Sequence, residues 1–463
     1  MNADKPSQLW TPWAWIDSRW RPNVLLTIDS LGRWNTIESS LAPPGGAERL
    51  RGALLPGMVN AHSHAFQRGF AGRTERRENA YDDFWSWREQ MYALALRLTP
   101  DQLEAIATQL YIELLEAGTT QVCEFHYLHH DRTGLPYADP FVMSRALAMA
   151  AQKAGIGLTM LPVLYERAGF TDAPLSERQR RFRSTVASVI AMRDAVRRWK
   201  LPNLEAGVAI HSLRAATADS ISALAHAVDG DTGPIHIHIA EQRAEVRDCV
   251  AATGRRPIAW LCQHMPVDTR WHLVHATHAD TEDQEAIART GASVVVCPST
   301  EANLGDGRFD LSGFRKRGID FSLGTDSHVS RSWPQEIRLL EYSQRLALEQ
   351  RNIAASPEHG YASSTESIFV QALATGARAA GLGGRWGLQR GARADAVEIN
   401  LEASGLLGVP SEALLDAMVF ACDAPPISQV WVGGRRWVSA GRHRLKDEAA
   451  RAFIAALQAP SDG

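Results

Sequence analysis

These 463 residues lack the marks of a membrane protein, a disulfide-stapled protein or a nucleic-acid binder. No stretch approaches the ~18 uninterrupted apolar residues that a spanning helix needs. Cysteine is scarce: Cys123, Cys249, Cys262, Cys297 and Cys422 are scattered, odd in number and form no CxxC pair. That argues against structural disulfides and for a reducing compartment. The first twenty residues show no basic segment followed by an apolar run. No secretory leader is read there, and a cytoplasmic location is expected. An excess of either charge is also missing. Lys plus Arg number 49 against 52 for Asp plus Glu, a net charge of −3. Such a balance gives no electrostatic footprint for nucleic acid, which needs a basic face, and leaves room for local basic groups inside a pocket. Internal repeats and low-complexity tracts are absent.

What remains is a chain with 45% hydrophobic residues, long enough for a large core. Its two ends share one character. VLLTID at 24–29, the Pro-Pro-Gly-Gly turn at 43–46, ADAVEI at 394–399 and QVWVGGRRWV at 429–438 are short strand-like runs broken by turn residues. Between them, short apolar runs alternate with helical patterns such as 100–118, the rhythm of βα units. Eight strands are read, at 54–62, 120–125, 157–164, 205–211, 234–240, 271–276, 292–297 and 320–325. The expected fold is α/β: a (β/α)8 TIM-like barrel over 56–384. A small discontinuous β domain is expected from 1–55 and 385–463, ending in a helix. Residues 65–99 read as a long loop carrying Trp85, Trp87 and Arg88.

The chemistry-bearing residues fall at the ends of these strands. His62 and His64 follow the first, and side chains two apart share one face of an extended chain, so both reach one ion. His236 and His238, with Glu241 three residues on, end the fifth. His275 and His278 end the sixth, and Asp326, Ser327 and His328 the eighth. Any one of these reads equally well as a satisfied polar residue. Four such groups at C-terminal strand ends converge on the face where barrel enzymes work. Imidazole nitrogen and carboxylate oxygen suit zinc, and a catalytic zinc keeps one position open. His236 and His238 share a face and are rival ligands. His126, His129 and His130 form a further cluster, read as a solvent-facing loop.

PGMVNAHSH, HIHIAE, LVHATH and GTDSH, with the flanking ARADAVEI and VWVGGRRWVSAGRH, carry a resemblance to the amidohydrolase superfamily. It spans nearly the whole chain. Binuclear members carry a carboxylated lysine on strand four, where this chain reads Ala209-Ile-His211. It therefore resembles the mononuclear deaminase branch. HSHAFQRGFAG, FWSWREQMY, EFHYLHHD, HSLRA, HIHIAEQ, LVHATHAD and STEANLGDG are similar, more narrowly, to the deiminase family acting on N-formimidoyl-L-glutamate in histidine degradation. One departure is ADAVEI, where members usually read ADLVVL.

The resemblance implies one Zn²⁺ per chain on His62, His64, His238 and Asp326, with iron or manganese left open. The HxxE arrangement is what favours His238 over His236. It implies attack by a metal-activated water, with Asp326 as proton acceptor, His275 orienting the nucleophile, and Glu241 passing a proton to the departing nitrogen. The substrate expected is a small molecule with carboxylates. Arg88 and Arg214 are their natural partners, because guanidinium binds carboxylate as a fork. Gln67, Tyr127 and His211 add hydrogen bonds. Ser327 and His328 are placed behind the ligand, His278 in a structural role, and a homodimer is expected. A deaminase of a cyclic amidine is the alternative, disfavoured because a neutral ring needs no carboxylate fork. A metal-free scaffold protein is a third, and it would have lost ligands that are all present here.

Overall fold

The computed structural model describes residues 7–76, 84–171 and 173–459. Eight parallel strands follow one another around a barrel: β1 (Met58–Ser63), β2 (Thr119–His126), β3 (Gly157–Leu164), β4 (Val208–Ile210), β5 (Ile235–Ile239), β6 (Trp271–His275), β7 (Ser293–Val296) and β8 (Phe321–Leu323). Their residues are buried on both faces, as expected of strands packed between a barrel interior and surrounding helices. The ring closes between β8 and β1 only at its C-terminal end. There Ser63 bridges Asp326, and the amides of Thr325 and Asp326 donate to the His62 carbonyl at 3.1 and 3.0 Å. The closing seam is thus built from the His62–His64 and Asp326 segments themselves.

A second sheet gathers both ends of the chain, in the order Arg442–His443, Arg435–Ser439, Ile427–Val432, Ala396–Ile399, Ala53–Pro56, Gln8–Ile16, Arg19–Ile28 and Trp34–Ser39. It is mostly antiparallel. Glu398 joins its two halves by accepting the amides of Arg51 and Gly52 at 3.0 and 2.8 Å.

Two expected strands turn out to be broken, both at glycine. The run 54–62 divides into Ala53–Pro56, which belongs to the second sheet, and β1. The chain crosses from one sheet to the other at Gly57, where a Cβ would meet the Thr120 hydroxyl at 2.1 Å. The run 205–211 likewise divides into Leu204–Ala206 and β4 around Gly207. Residues 65–99 are not a loop. They hold a 3-10 turn at Ala65–Gly69 and a helix, α1 (Phe84–Arg97), with residues 77–83 outside the described part. The tryptophans and Arg88 sit on that helix, because FWSWREQMYALALR packs Phe84, Met91, Tyr92, Leu94 and Ala95 inward. The next helix, α2 (Pro100–Glu116), starts with proline and a reciprocal Thr99–Gln102 capping box.

Candidate metal centre and active site

His62 and His64 end β1, His238 lies near the end of β5, and Asp326 follows β8. Their reactive atoms converge. His62 Nε2 lies 3.1 Å from His64 Nε2 and 3.0 Å from His238 Nε2. Asp326 Oδ1 is 3.4 Å from the first and 3.2 Å from the second. A tetrahedral zinc at ~2.0–2.1 Å from each donor spaces them about 3.3 Å apart. The His64 Nδ1–H donates to the Phe125 carbonyl at 3.0 Å, which turns the Nε2 lone pair inward. Burial pushes His62 down to about 3, and burial with neighbouring histidines holds His238 well below its usual value. Neutral imidazoles with lone pairs aimed at one point repel one another unless a cation lies between them. The donor set and its spacing fit a divalent ion.

The seam is held from behind. Asn60 donates to Thr325 Oγ1 at 2.7 Å and accepts the Thr325 amide at 2.9 Å. The His328 ring touches Ser63 Oγ at 3.1 Å and Thr325 Oγ1 at 3.0 Å. Glu124, on β2, accepts Ser63 Oγ and the Ala65 amide, both at 2.7 Å. Gly324 has to be glycine, since a Cβ would approach His62 Cβ to 2.7 Å and Cys297 Sγ to 2.9 Å. Backbone strain gathers here too. Ala240, His275, Ala276, Asp326 and His328 take φ of 51°, 73°, 50°, 47° and 63°. Non-glycine residues adopt that region rarely, and they cluster in it where a site over-determines them.

Above the seam lies a cleft. All the candidate site residues except His62 line it; His62 lies beneath its floor with no exposed surface. His275 Nε2 stands 3.8 Å from both Glu241 Oε1 and Asp326 Oδ2. Burial opposes a charge on His275, but the carboxylates of Glu241, Asp326 and Glu301 raise it to about 10. Burial raises the Glu241 carboxyl, against the pull of His275 and Arg214. The Glu241 backbone is fixed by Glu245, which accepts the Ala240 and Glu241 amides at 3.1 Å each.

The other end of the cleft is cationic. Arg88 lies 4.3 Å over the Trp85 ring and Arg214 5.6 Å over the same ring, so one indole supports both guanidiniums. Arg88 Nε and Arg214 Nη1 are buried without an acceptor. Burial works against the Arg214 charge, and Glu245 and Glu241 outweigh it. Tyr127 stays protonated through burial, and its hydroxyl accepts from Gln67 Nε2 at 3.0 Å. That leaves the buried Gln67 Oε1 without a donor. Burial and the nearby Arg214 keep His211 neutral.

Two readings of the histidines are corrected. His236 is no rival to His238: it points from a lower layer of the barrel, where its Nε2 meets the Ala379 carbonyl at 2.9 Å. His126 and His129 do not face solvent. They are 3% and 5% exposed and pack ring to ring at 5.1 Å, because β2 runs on through His126 and carries it into the core. Neither belongs to the cleft, and His130 is half-buried. Asn60, Glu124, Glu245 and Glu301 went unassigned in the sequence. All four lie inside stretches shared with the amidohydrolases or directly beside them, but nothing in their spacing marks them.

An eight-stranded barrel with three imidazoles and a carboxylate about one point, and a buried Glu–His pair beside them, defines a hydrolase built around a metal-ready centre. Residues 53–437 match the amidohydrolase family. The chain belongs to that family. It is 46% identical to the formimidoylglutamate deiminase of Pseudomonas aeruginosa, over 96% of this chain and 97% of the other. An amidohydrolase from Brucella melitensis superposes with a TM-score of 0.92 at 42% identity, covering 97% of this chain and 98% of its own. The fold is also that of a zinc-bound adenosine deaminase from Xanthomonas campestris, with a TM-score of 0.79, 20% identity and 98% of each chain covered. Among the described residues, no helix is long and apolar enough to cross a membrane.

Proposed function

We propose that this chain hydrolyses N-formimidoyl-L-glutamate to N-formyl-L-glutamate and ammonia. The observation that carries the reading is the pairing, in one cleft, of a His3Asp centre with two arginines that each keep a buried N–H nitrogen without an acceptor. A linear amidine with two carboxylates has the groups that such a cleft lacks. The Pseudomonas aeruginosa relative, similar along its whole length, bears the corresponding name.

His62, His64, His238 and Asp326 would hold the ion, and zinc suits three nitrogens and one oxygen. Bound there, it would supply Lewis acidity and a lowered pKa for its water. The chain's own groups do the rest. Arg88 and Arg214 take the carboxylates as bidentate forks. Gln67 Oε1, an acceptor only, suits a substrate N–H rather than a carboxylate. Asp326 Oδ2, on the side away from His62 and His64, accepts the proton of the attacking water. His275, between Asp326 and Glu241, orients that water and stabilises negative charge as the formimidoyl carbon becomes tetrahedral. Glu241, whose carboxyl burial raises above its usual range, delivers a proton to the departing nitrogen, so that ammonia leaves as the C–N bond breaks and the carbonyl forms.

Purified protein assayed for ammonia release, with metal content measured in parallel, tests the reading. Release from N-formimidoyl-L-glutamate that is lost on chelation and restored by Zn²⁺ is expected. One bound metal per chain with no release would leave a hydrolase of another substrate, and adenosine-like cyclic amidines would be tried next.

A further inference from the structure

STEANLGDG follows β7, and its glutamate has no role in the reaction as drawn so far. Glu301 lies on a short helix, α3 (Pro298–Leu304), whose last residue, Leu304, lines the cleft. Its side chain is 3% exposed and turns back toward the barrel. Oε1 accepts the Cys297 amide at 2.9 Å, and the same oxygen lies 3.2 Å from His275 Nδ1. The carboxylate is therefore anchored to the end of β7 while it holds a ring that belongs to β6.

The ring is held at both edges. Nδ1 faces Glu301, and Nε2 faces Glu241 Oε1 and Asp326 Oδ2, each at 3.8 Å. A carboxylate can only accept, so Nδ1 must carry hydrogen, and Nε2 is the nitrogen left for the reacting side. Without that acceptor the imidazole could rotate by 180° and exchange its two nitrogens. His275 also sits at φ 73°, a conformation its backbone does not favour by itself. The arrangement has the logic of a carboxylate that fixes the direction of a catalytic histidine and stabilises its charged form. The same three residues, His275, Cys297 and Glu301, are close enough to hold a cation. The hydrogen bonding argues otherwise, because a ligating Nδ1 could not donate to Glu301, and burial keeps the Cys297 thiol far from its thiolate.

We propose that Glu301 is a positioning residue: it accepts the Nδ1–H of His275 and so presents the Nε2 edge to Glu241, Asp326 and the attacking water. The inference rests on the role given to His275 in the proposed reaction.

The test combines Glu301→Gln and Glu301→Ala with a His275→Asn background, in metal-loaded full-length protein. Glutamine keeps the size and one acceptor, so Glu301→Gln should lower kcat about 10–10²-fold and Glu301→Ala about 10²–10³-fold, within the range of general acid–base effects. KM and the single bound metal should stay unchanged. In the His275→Asn background, Glu301→Gln should change kcat less than about twofold, because groups acting as a unit are not additive. A readout independent of turnover is the imidazole Nδ1–H proton resonance, assigned by its disappearance in His275→Asn. It should vanish or shift in Glu301→Ala. Equal loss of kcat in both backgrounds would mean a merely structural role and overturn the proposal. So would an unmoved Nδ1–H signal, or a second metal ion lost with Glu301. If wild-type protein releases no ammonia yet the resonance responds as expected, the substrate reading fails and the positioning of His275 by Glu301 stands.

Discussion

Replacing Arg214 with alanine puts the substrate reading at greatest risk. The guanidinium is buried, lies 5.6 Å over the Trp85 ring and has Nη1 without an acceptor. A substrate carboxylate arriving there leaves water and needs that fork. Truncating one partner of a buried charge pair costs about 3–5 kcal/mol, because the other charge is left desolvated and alone. At ~1.36 kcal/mol per decade, this is roughly 10²–10⁴-fold in kcat/KM. The carboxylate is remote from the reacting carbon and is bound alike in ground and transition states, so the loss should appear mainly in KM. Arg214→Lys should fall between, keeping charge but not the fork. Steady-state ammonia release with three substrates makes the test specific. N-formimidoylglycine lacks the side-chain carboxylate, and N-formimidoyl-4-aminobutyrate lacks the α-carboxylate. Whichever lacks the group that Arg214 binds should lose little on mutation, while the other loses as much as the full substrate. Equal losses for all three, or loss of bound metal together with activity, would refute the pairing.

Asp326→Ala should abolish both metal binding and turnover, measured by elemental analysis alongside ammonia release, because it removes one of four converging donors while leaving the backbone seam between β8 and β1 in place. Glu241→Gln should keep the metal and lower kcat about 10²–10⁴-fold; unchanged turnover would remove its proton-transfer role. Glu336, which does not line the cleft, provides a stability test. It is fully buried, and burial raises its carboxyl from 4.5 to about 7, although Ser299 donates to it from N at 2.8 Å and Oγ at 2.7 Å. Between pH 4.5 and 7 the folded chain then holds a proton that the unfolded chain has released, so this group's contribution falls as pH rises through that window. Glu336→Gln keeps both contacts, since the serine hydroxyl can accept instead. Its stability relative to wild type should rise by up to about 3 kcal/mol between pH 5 and pH 8 in urea melts. A difference that does not change with pH would sink this account.

How far the sequence could be read depended on whether a feature lay along a strand or between strands. The histidine and aspartate groups at the ends of the first, fifth, sixth and eighth strands lie along the chain, so their convergence on the barrel rim was legible in the sequence, and the HxxE at His238–Glu241 was legible through the family resemblance. The chain's passage between two sheets at Gly57 was hidden, because LLPGMVNAH reads as one unbroken apolar run. The helical Trp85–Arg88 segment was hidden by its mixed composition, although the inward spacing of Phe84, Met91, Tyr92 and Ala95 is helical once the start is known. The β2 histidines were misjudged for a related reason. HxxHH looks polar on paper, but His126 still belongs to a strand buried throughout its length.

The least legible residues share one geometry. Glu245 and Glu301 lie one helical turn beyond a strand end, and their carboxylates reach back to amides at that end: Ala240 and Glu241 for one, Cys297 for the other. In sequence each is merely an acidic residue early in a helix, which the helix dipole alone would explain. Only the fold shows that Glu245 fixes the backbone of Glu241 and that Glu301 holds the ring of His275. The strained φ values at Ala240 and His275 mark the two places where these carboxylates act. A rim built from left-handed residues needs such anchors, since the backbone would otherwise relax toward ordinary strand geometry and carry Glu241 and His275 out of register. The motif residues could therefore be read from the chain, whereas the groups that keep them aimed could be identified only after the β5–helix and β7–helix turns had folded.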